Sequence, residues 1–326
     1  AWLNPYRISL SGYSLDCKKE DVAKEYLDYP LNPASKSENI LMTIASDKES
    51  LGAILDPSSV EVQDYIVNVC LELMENYDID GIHFDDYFYA RLSLNTNILD
   101  DVDQVQYEKY IDETDTNFKK DSEIDKMDWR RLNVDTLIYK LHTNITKFNI
   151  NNNRSVEFGI SPTGVYKSGD GSVSGGSNTT GSGHFGKFLF SDTVKWVKEE
   201  WIDYILPQCY TSFNNPNYSF QDITTWWNKV VEGTNVNLYI GLGTHKAIEN
   251  GYEYSWGNEA YEVNNQLRYL NGLENVSGVC FFSFNCFNQV LNDPSNIANK
   301  GLNKLRDEYW LHKVEIPKTN ASIYQK

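Results

Sequence analysis

Apolar positions along the chain recur with two periods, and the two take turns. Residues 1–9 read as a strand ending in a Pro-containing turn, and residues 10–40 are polar and irregular. Residues 40–46 (Asn-Ile-Leu-Met-Thr-Ile-Ala) read as a short extended segment. Pro57-Ser-Ser59 then opens a helix to about residue 76, with Val60, Val62, Ile66, Val67, Cys70, Leu71 and Met74 at helical spacing. A buried strand covers 79–85 and a long charged insertion covers 91–127. Asp128 is expected to cap a helix running to about 148 that carries Leu132, Leu137, Ile138, Leu141 and Ile145. Strands follow at 156–161, 202–207, 237–243 and 278–284. Helices are expected at 190–200, 221–232, 258–271 and 294–307, before a polar tail. Residues 168–186, rich in Gly and Ser, read as a flexible loop within a domain.

Strand followed by helix, repeated, implies α/β architecture: a parallel sheet with both faces covered. No GxGxxG follows the first strand and no Walker loop occurs, so dinucleotide and P-loop folds lack their signatures. The expected fold is a (β/α)8 TIM-type barrel with about six of its eight units present. It forms a single domain over 1–310 with a polar tail over 311–326. The chain opens on a strand-like segment without an initiator Met, and the first strands are expected to lie upstream of Ala1.

Composition narrows the function. The formal charge of −17 repels phosphate backbones and anionic lipid, so a nucleic-acid partner is not expected. The chain has 8 Trp and 22 Tyr, which suit either core packing or stacking on the apolar faces of sugars. No apolar run reaches membrane-spanning length. Cys17, Cys70, Cys209, Cys280 and Cys286 are odd in number and scattered, so they read as core thiols rather than as a disulfide or zinc framework. No cofactor and no metal are expected.

Polar residues gather where the strands end: Asn4 and Arg7, His83 and Asp85, Ser161, Gln208 and Tyr210, His245, Ser283 and Asn285. Barrel enzymes build their active sites at those ends. The strongest signal is Asp80-Gly-Ile-His-Phe-Asp-Asp-Tyr-Phe-Tyr89. Strand side chains alternate, so Ile82 and Phe84 face the helices while Gly81, His83 and Asp85 face inward. A carboxylate buried there without purpose costs several kcal/mol, and a glycosidase needs one opposite the anomeric carbon. Asp85 is therefore the main catalytic candidate. Asp86, on the opposite parity, either joins it or orders the loop, and Tyr87 stands beside them as a substrate contact. Two other readings stay open: that the two aspartates cap a turn, and that His-Phe-Asp-Asp supplies metal ligands together with His245.

Inward parity also selects Gln208 and Tyr210, and Tyr239, Gly241, Gly243 and His245. Glu157 is inward too, but by strand geometry it lies roughly 13 Å below Ser161, at the barrel floor. The second carboxyl group is not fixed; Asp86, Asp128 and the acidic residues of 91–127 are candidates. Arg130 or Arg131 can reach a charged substrate group or hold a carboxylate, and a helix-surface salt bridge is the expected use of at least one of them.

Residues 1–7 (Ala-Trp-Leu-Asn-Pro-Tyr-Arg), Leu55-Asp-Pro57, the 80–89 stretch, Asp128-Trp-Arg-Arg131, Gly159-Ile-Ser-Pro162, Trp201-Ile-Asp-Tyr204 with Pro207-Gln208 and Tyr210, and Trp226-Trp227 occur in that order. Together they resemble the bacterial glycosyl-hydrolase-like family ten, formerly domain of unknown function 187, from residue 1 to about 290. The resemblance implies a (β/α)8 barrel, a secreted or lipid-anchored protein, and hydrolysis of a glycan, with bacterial cell-wall glycan as the plausible substrate class. It maps the strand-four Asp onto Asp85, and the family's other site positions onto Asn4, Arg7, His83, Asp86, Gln208 and Tyr210. Two departures stand out. Ala90 replaces the family's Pro after Tyr-Phe-Tyr, and the two strands that precede Ala-Trp-Leu-Asn in the family are not in this sequence. The alternatives from other classes are a non-catalytic carbohydrate-binding barrel and a metal-dependent hydrolase.

Overall fold

The computed structural model describes residues 1–6, 41–45, 50–89, 103–112, 124–181, 183–248 and 259–312. Six strands form one sheet: β1 (Trp2–Leu3), β4 (Gly81–Phe84), β5 (Glu157–Ile160), β6 (Tyr204–Ile205), β7 (Asn237–Leu242) and β8 (Val276–Phe281), hydrogen-bonded in that order. The ladders from β5 to β8 are parallel. A doubly wound sheet reverses its strand order at a switch point. This one advances in a single direction from β4 to β8, the winding of a (β/α) barrel. The barrel is not closed by the described strands.

Contacts divide the chain into two compact units, and β4 runs from one into the other: residues 80–83 belong to the second unit and residue 84 onward to the first. The first unit comprises 1–79, 84–146 and 185–192. It contains a second, two-stranded sheet, in which β2 (Leu41–Ala45) pairs antiparallel with β3 (Ser50–Leu55). The extended reading of 40–46 holds for β2, but β3 has no counterpart in the sequence reading. Helix α1 (Val60–Asn76) starts where Pro57-Ser-Ser59 placed it, with the Ser59 hydroxyl accepting from the Val62 N–H. It buries Val62, Ile66, Val67, Cys70 and Met74.

The insertion 91–127 contains a helix of its own, α2 (Gln104–Asp112). Its hydrophobic periodicity is weak, which hid it. Helix α3 (Lys126–Asn152) begins before Asp128, so Asp128 is not the cap. The Asp125 carboxylate accepts from the N–H groups of Met127 and Asp128, at 2.8 and 2.9 Å. Asp128 sits in the first turn, where a negative charge also favours the helix N-terminus.

The second unit holds 80–83, 147–184 and 193–326 as far as they are described. Asn149 fixes the turn from α3 into β5, its amide donating to the Val156 carbonyl and accepting from the Val156 N–H, both at 2.9 Å. Helices α4 (Thr193–Lys198), α5 (Phe220–Val230) and α6 (Glu262–Leu270) lie between successive strands. The Ser219 cap of α5 accepts from the Asp222 N–H, and buried Trp226 and Trp227 line its inner side. After β8 the chain turns at once into α7 (Phe284–Leu291), which the sequence reading lacked, and then α8 (Asn299–Lys304). The Gly/Ser-rich segment is held by its own backbone. Gly169 and Gly171 donate to the carbonyls of Ser177 and Gly176, and the Trp226 indole donates to the Ser172 carbonyl at 2.8 Å.

Candidate functional site

The alternation predicted for β4 continues beyond it. Ile82, Phe84, Asp86 and Phe88 are buried, while His83, Asp85 and Tyr87 are half-buried. In the first unit, Asp85 is the residue after β4. Its N–H donates to the Leu3 carbonyl at 3.2 Å, and its Oδ1 accepts from the Asp86 N–H at 2.8 Å. Asp85 as a whole is half-buried, and Asn4, the residue after β1, is exposed. Asp86 is only 2% exposed and closes a turn, its carbonyl accepting from Phe88. Arg7 and Ala90 lie outside the described residues.

The candidates for a second carboxyl from the insertion separate clearly. Asp103 is fully buried and takes two hydrogen bonds from the Arg130 guanidinium, each 2.6 Å. The Tyr89 hydroxyl adds a third at 2.6 Å, and Lys126 stands 3.1 Å away. Burial raises the Asp103 pKa, but the Arg130 bonds and charge, then Tyr89 and Lys126, outweigh it and hold the carboxyl below the usual carboxylate range. A general acid must hold a proton at working pH, so Asp103 is a structural anion. Arg130 thereby meets the expectation that it holds a carboxylate, and its guanidinium also lies 4.9 Å from the Phe190 ring centroid. Arg131 pairs with Asp128 on the helix surface, donates to the Phe185 carbonyl and covers the Phe185 ring.

In the second unit, one face of the sheet carries interlocking small and large side chains. His83 Nδ1 lies 2.9 Å from the Tyr204 hydroxyl, and the two rings stack at 5.8 Å. Tyr239 meets Tyr204 edge-on at 5.7 Å. Each tyrosine leans over a glycine that is its register partner on a neighbouring strand, Tyr204 over Gly159 of β5 and Tyr239 over Gly278 of β8. Glu157 is the first residue of β5, as expected of a floor position. Its pKa is raised by burial and then by the charges of Asp203 and Asp80. Its own charge in turn adds to the effect of burial in raising the tyrosines Tyr204 and Tyr239.

Beyond the strand ends, Gln208 joins three strands. Its N–H donates to the Pro162 carbonyl, its side-chain amide donates to the Ser161 carbonyl at 2.9 Å, and its backbone bridges Thr163 and Gly241. Ser161 itself is buried. Tyr210, His245 and Phe282 come together: Tyr210 and Phe282 stack at 5.7 Å, and His245 meets them edge-on at 5.1 and 5.5 Å. Gly243 permits this approach, because a Cβ there would lie 3.0 Å from both Tyr210 and His245. The Phe282 carbonyl accepts from the Thr244 hydroxyl at 2.9 Å and from the His245 N–H at 3.2 Å, and the Phe282 ring remains 40% exposed.

Phe282 was missed as a site residue, although it shares parity with Gly278 and Cys280. Asn285, placed by sequence at a strand end, is an exposed residue of helix α7, because β8 stops at Phe281. His184, unmarked in sequence, is wholly buried between the Thr163 and Thr193 hydroxyls at 3.0 and 2.7 Å, and burial lowers its pKa to about 3. It is a satisfied core histidine. Among the described residues, no group of three or more His, Cys, Asp or Glu is gathered as metal ligands, and no helix is long and apolar enough to cross a membrane.

The profile of the family described as "Glycosyl hydrolase-like 10" matches residues 13–256. The chain belongs to this family. "Glycosyl hydrolase YngK" of Bacillus subtilis (strain 168) is 31% identical over 289 residues, covering 89% of this chain and 50% of its own length. "Glycosyl hydrolase DigH" of Escherichia coli (strain K12) is 30% identical over 285 residues, covering 86% of this chain and 59% of its own. The chain thus spans about half to three-fifths of these curated relatives. Among solved structures, the chitinase ChiW from Paenibacillus sp. str. FPU-7 aligns over 77% of this chain and 24% of its own, with 11% identity and a TM-score of 0.44, a likeness too distant to bear on function.

Proposed function

We propose that the chain is the greater part of a glycoside hydrolase that cleaves O-glycosidic bonds of a bacterial polysaccharide, with Asp85 as its main catalytic carboxylate. The observation that carries this reading is the contrast within the Asp-Asp pair. Asp85 is half-buried directly after β4, whereas its neighbour Asp86 is buried. A carboxylate at a strand C-terminal end, open to a ligand, is what a glycosidase places against an anomeric carbon. The Tyr210–His245–Phe282 group suits the second requirement, an aromatic face for a pyranose ring. Gln208 and His83 are the hydrogen-bonding candidates for sugar hydroxyls, with Asn4, Arg7, Tyr87, Ser161 and Asn285 as further substrate contacts.

The relatives' names support hydrolysis of glycosidic bonds. Cell-wall glycan as substrate and a secreted or lipid-anchored location are part of the same proposal. The protein and its Asp85→Asn variant, incubated with a panel of purified bacterial glycans and analysed by mass spectrometry, test it. Products from the wild type and none from the variant are expected. Equal turnover by both removes Asp85 from the mechanism. Glycan binding by calorimetry with no product from either would make the chain a carbohydrate-binding barrel. Turnover abolished by chelation and restored by a divalent ion would make it a metal-dependent hydrolase.

A further inference from the structure

Helix α6 carries polar side chains at two deeply buried positions, Glu262 and Gln266. Both are bonded to the loop that follows β6. The Glu262 Oε1 accepts from the Phe213 N–H at 3.2 Å and from the Gln266 amide at 2.9 Å. The same Gln266 nitrogen donates to the Thr211 carbonyl at 2.9 Å. The two side chains, one helical turn apart, thus grip the loop backbone at two residues while bonded to each other. Burying a carboxylate and an amide is unfavourable unless both are hydrogen-bonded, and apolar side chains would fill the same volume without that penalty.

The gripped loop carries Tyr210. Gln208, two residues before it, is fixed to the sheet by its bridges to Thr163 and Gly241. Thr211 and Phe213, after it, are fixed to α6. Further bonds tie the same stretch to the start of α5: the Thr211 hydroxyl donates to the Tyr218 carbonyl and the Phe220 N–H to the Ser212 carbonyl, both at 3.0 Å. The Phe213 ring packs edge-on against Phe220 and Tyr269, at 5.3 and 5.7 Å. Apolar packing of that kind holds the loop down but does not set the direction of its backbone, whereas paired hydrogen bonds do. A recognition group has to be held to within about 0.5 Å by the bonds behind it, and Tyr210 has such bonds on both sides.

We propose that Glu262 and Gln266 are positioning residues for the sugar-binding face. They act through the backbone of Thr211 and Phe213 to set the Tyr210 ring in its stack with Phe282. The proposal rests on the reading of Tyr210, His245 and Phe282 as that face, and it does not depend on Asp85 being catalytic. Neither side chain touches sugar; their effect on recognition passes through Tyr210.

His245 supplies the test, because it meets both rings edge-on and its own ring protons sense where Tyr210 stands. NMR of the full chain with isotope-labelled histidine reads all five histidines, and the signal missing from His245→Gln identifies this one. Gln266→Leu keeps the buried volume and removes the grip. It is expected to shift the His245 Cε1–H resonance and to leave that of His184 in place. If Gln266→Leu does not fold, Glu262→Gln, which keeps an acceptor for Phe213, is expected to give the same shift in smaller measure. Tyr269→Phe removes a different hydrogen bond of α6, to the Thr225 hydroxyl at 2.6 Å, and is expected to leave His245 unmoved. Calorimetry with purified cell-wall glycan strands is expected to show binding weakened about fivefold in Gln266→Leu, the scale of one aromatic contact. A His245 resonance unmoved in both Gln266→Leu and Glu262→Gln overturns the positioning role, as does an equal shift in Tyr269→Phe. A shift with unchanged affinity overturns the role in recognition. No glycan binding by the wild type overturns the reading of the aromatic face itself, a failure separate from that of the grip, which the His245 signal decides.

Discussion

The Tyr204 hydroxyl stands 2.9 Å from His83 Nδ1, and the tyrosine ring lies directly over Gly159 of the neighbouring strand. One side chain thus orients the histidine two residues before Asp85 and at the same time fills the space that a glycine leaves. The second role is the stricter. A Cβ on residue 159 would fall 2.1 Å from the Tyr204 ring, so the ring would have to leave its place over the strand. Gly159→Ala is expected to destabilise the protein by at least about 3 kcal/mol, the upper range for overpacking. Adding Tyr204→Ala should recover part of that loss, as read by urea denaturation of the single and double variants. A double variant no better than Gly159→Ala alone would mean that the ring is not what demands the glycine.

The first role is measured by Tyr204→Phe. The ring and its packing stay, and only the hydroxyl bonded to His83 goes. A loss of about 1 kcal/mol is expected, the usual net value of one hydrogen bond. Burial holds Tyr204 above the ordinary tyrosine range, so the hydroxyl stays neutral and the cost should be the same at pH 6 and pH 9. A cost that grows by pH 9 would mean that the folded hydroxyl ionises more readily than a free tyrosine, against the effect of burial.

These relationships show what was legible in the sequence. Parity alone set Ile82 and Phe84 on a buried face and left His83 and Asp85 on the half-buried one, because period-two alternation is enforced residue by residue. The winding followed from the strand–helix repeat. The pattern failed where an element is short or only weakly amphipathic: α2 inside a charged insertion, β3, and α7 directly after β8. Asp103 was one acidic residue among many in that insertion. Only the fold could single it out, because its partners Tyr89 and Arg130 are 14 and 27 residues away in sequence. Phe282 lies within an apolar strand run, where parity alone does not mark one aromatic out from its neighbours. The Arg130 and Arg131 alternatives were both correct, and sequence had no means of assigning them.

The Asp103–Arg130 pair gives a prediction with a sign. Removing one partner leaves a buried charge alone, so Arg130→Met is expected to cost about 3–5 kcal/mol. Because the folded-state pKa of Asp103 is depressed, its contribution is present above the unfolded value of about 3.9 and is lost as pH falls through the folded value. His184 adds to the acid sensitivity from higher pH. Its folded pKa, lowered to about 3, means that the unfolded chain takes up its proton first, below about 6.5. Together these two groups lower wild-type stability below pH 6.5, and the raised pKa of Asp56, about 6, offsets the fall between roughly pH 6 and pH 4. In Arg130→Met, the part of that fall lying below pH 4 should shrink. An identical acid profile in the variant would remove the ion pair from the account.

The Tyr210–His245–Phe282 group predicts binding rather than stability. Phe282 is 40% exposed, so truncating it leaves no large cavity. Phe282→Ala is expected to change the unfolding midpoint little and to weaken oligosaccharide binding by roughly 1 kcal/mol, about fivefold, the scale of one aromatic contact. Calorimetry on any glycan that the wild type binds would measure it. Unchanged affinity would leave the exposed ring without a role in sugar recognition.

Asp56 runs opposite to Asp103, although the two feel each other's charge. Burial, partly offset by hydrogen bonds from the Ser58 N–H and hydroxyl and by the side chain of Gln106, and reinforced by the charge of Asp103, raises its pKa to about 6. A carboxyl whose folded pKa is raised costs nothing below its unfolded value near 3.9 and costs most above the folded one. Two units correspond to about 3 kcal/mol. Asp56→Asn keeps an Oδ1 acceptor for Ser58 and removes the charge. It should be more stable than the wild type by up to about 3 kcal/mol at pH 8, by less at pH 5, and by nothing at pH 3.5. Urea denaturation at the three pH values reads this directly, and a stability difference that does not vary with pH would mean that the Asp56 carboxyl does not titrate between its unfolded value and pH 8.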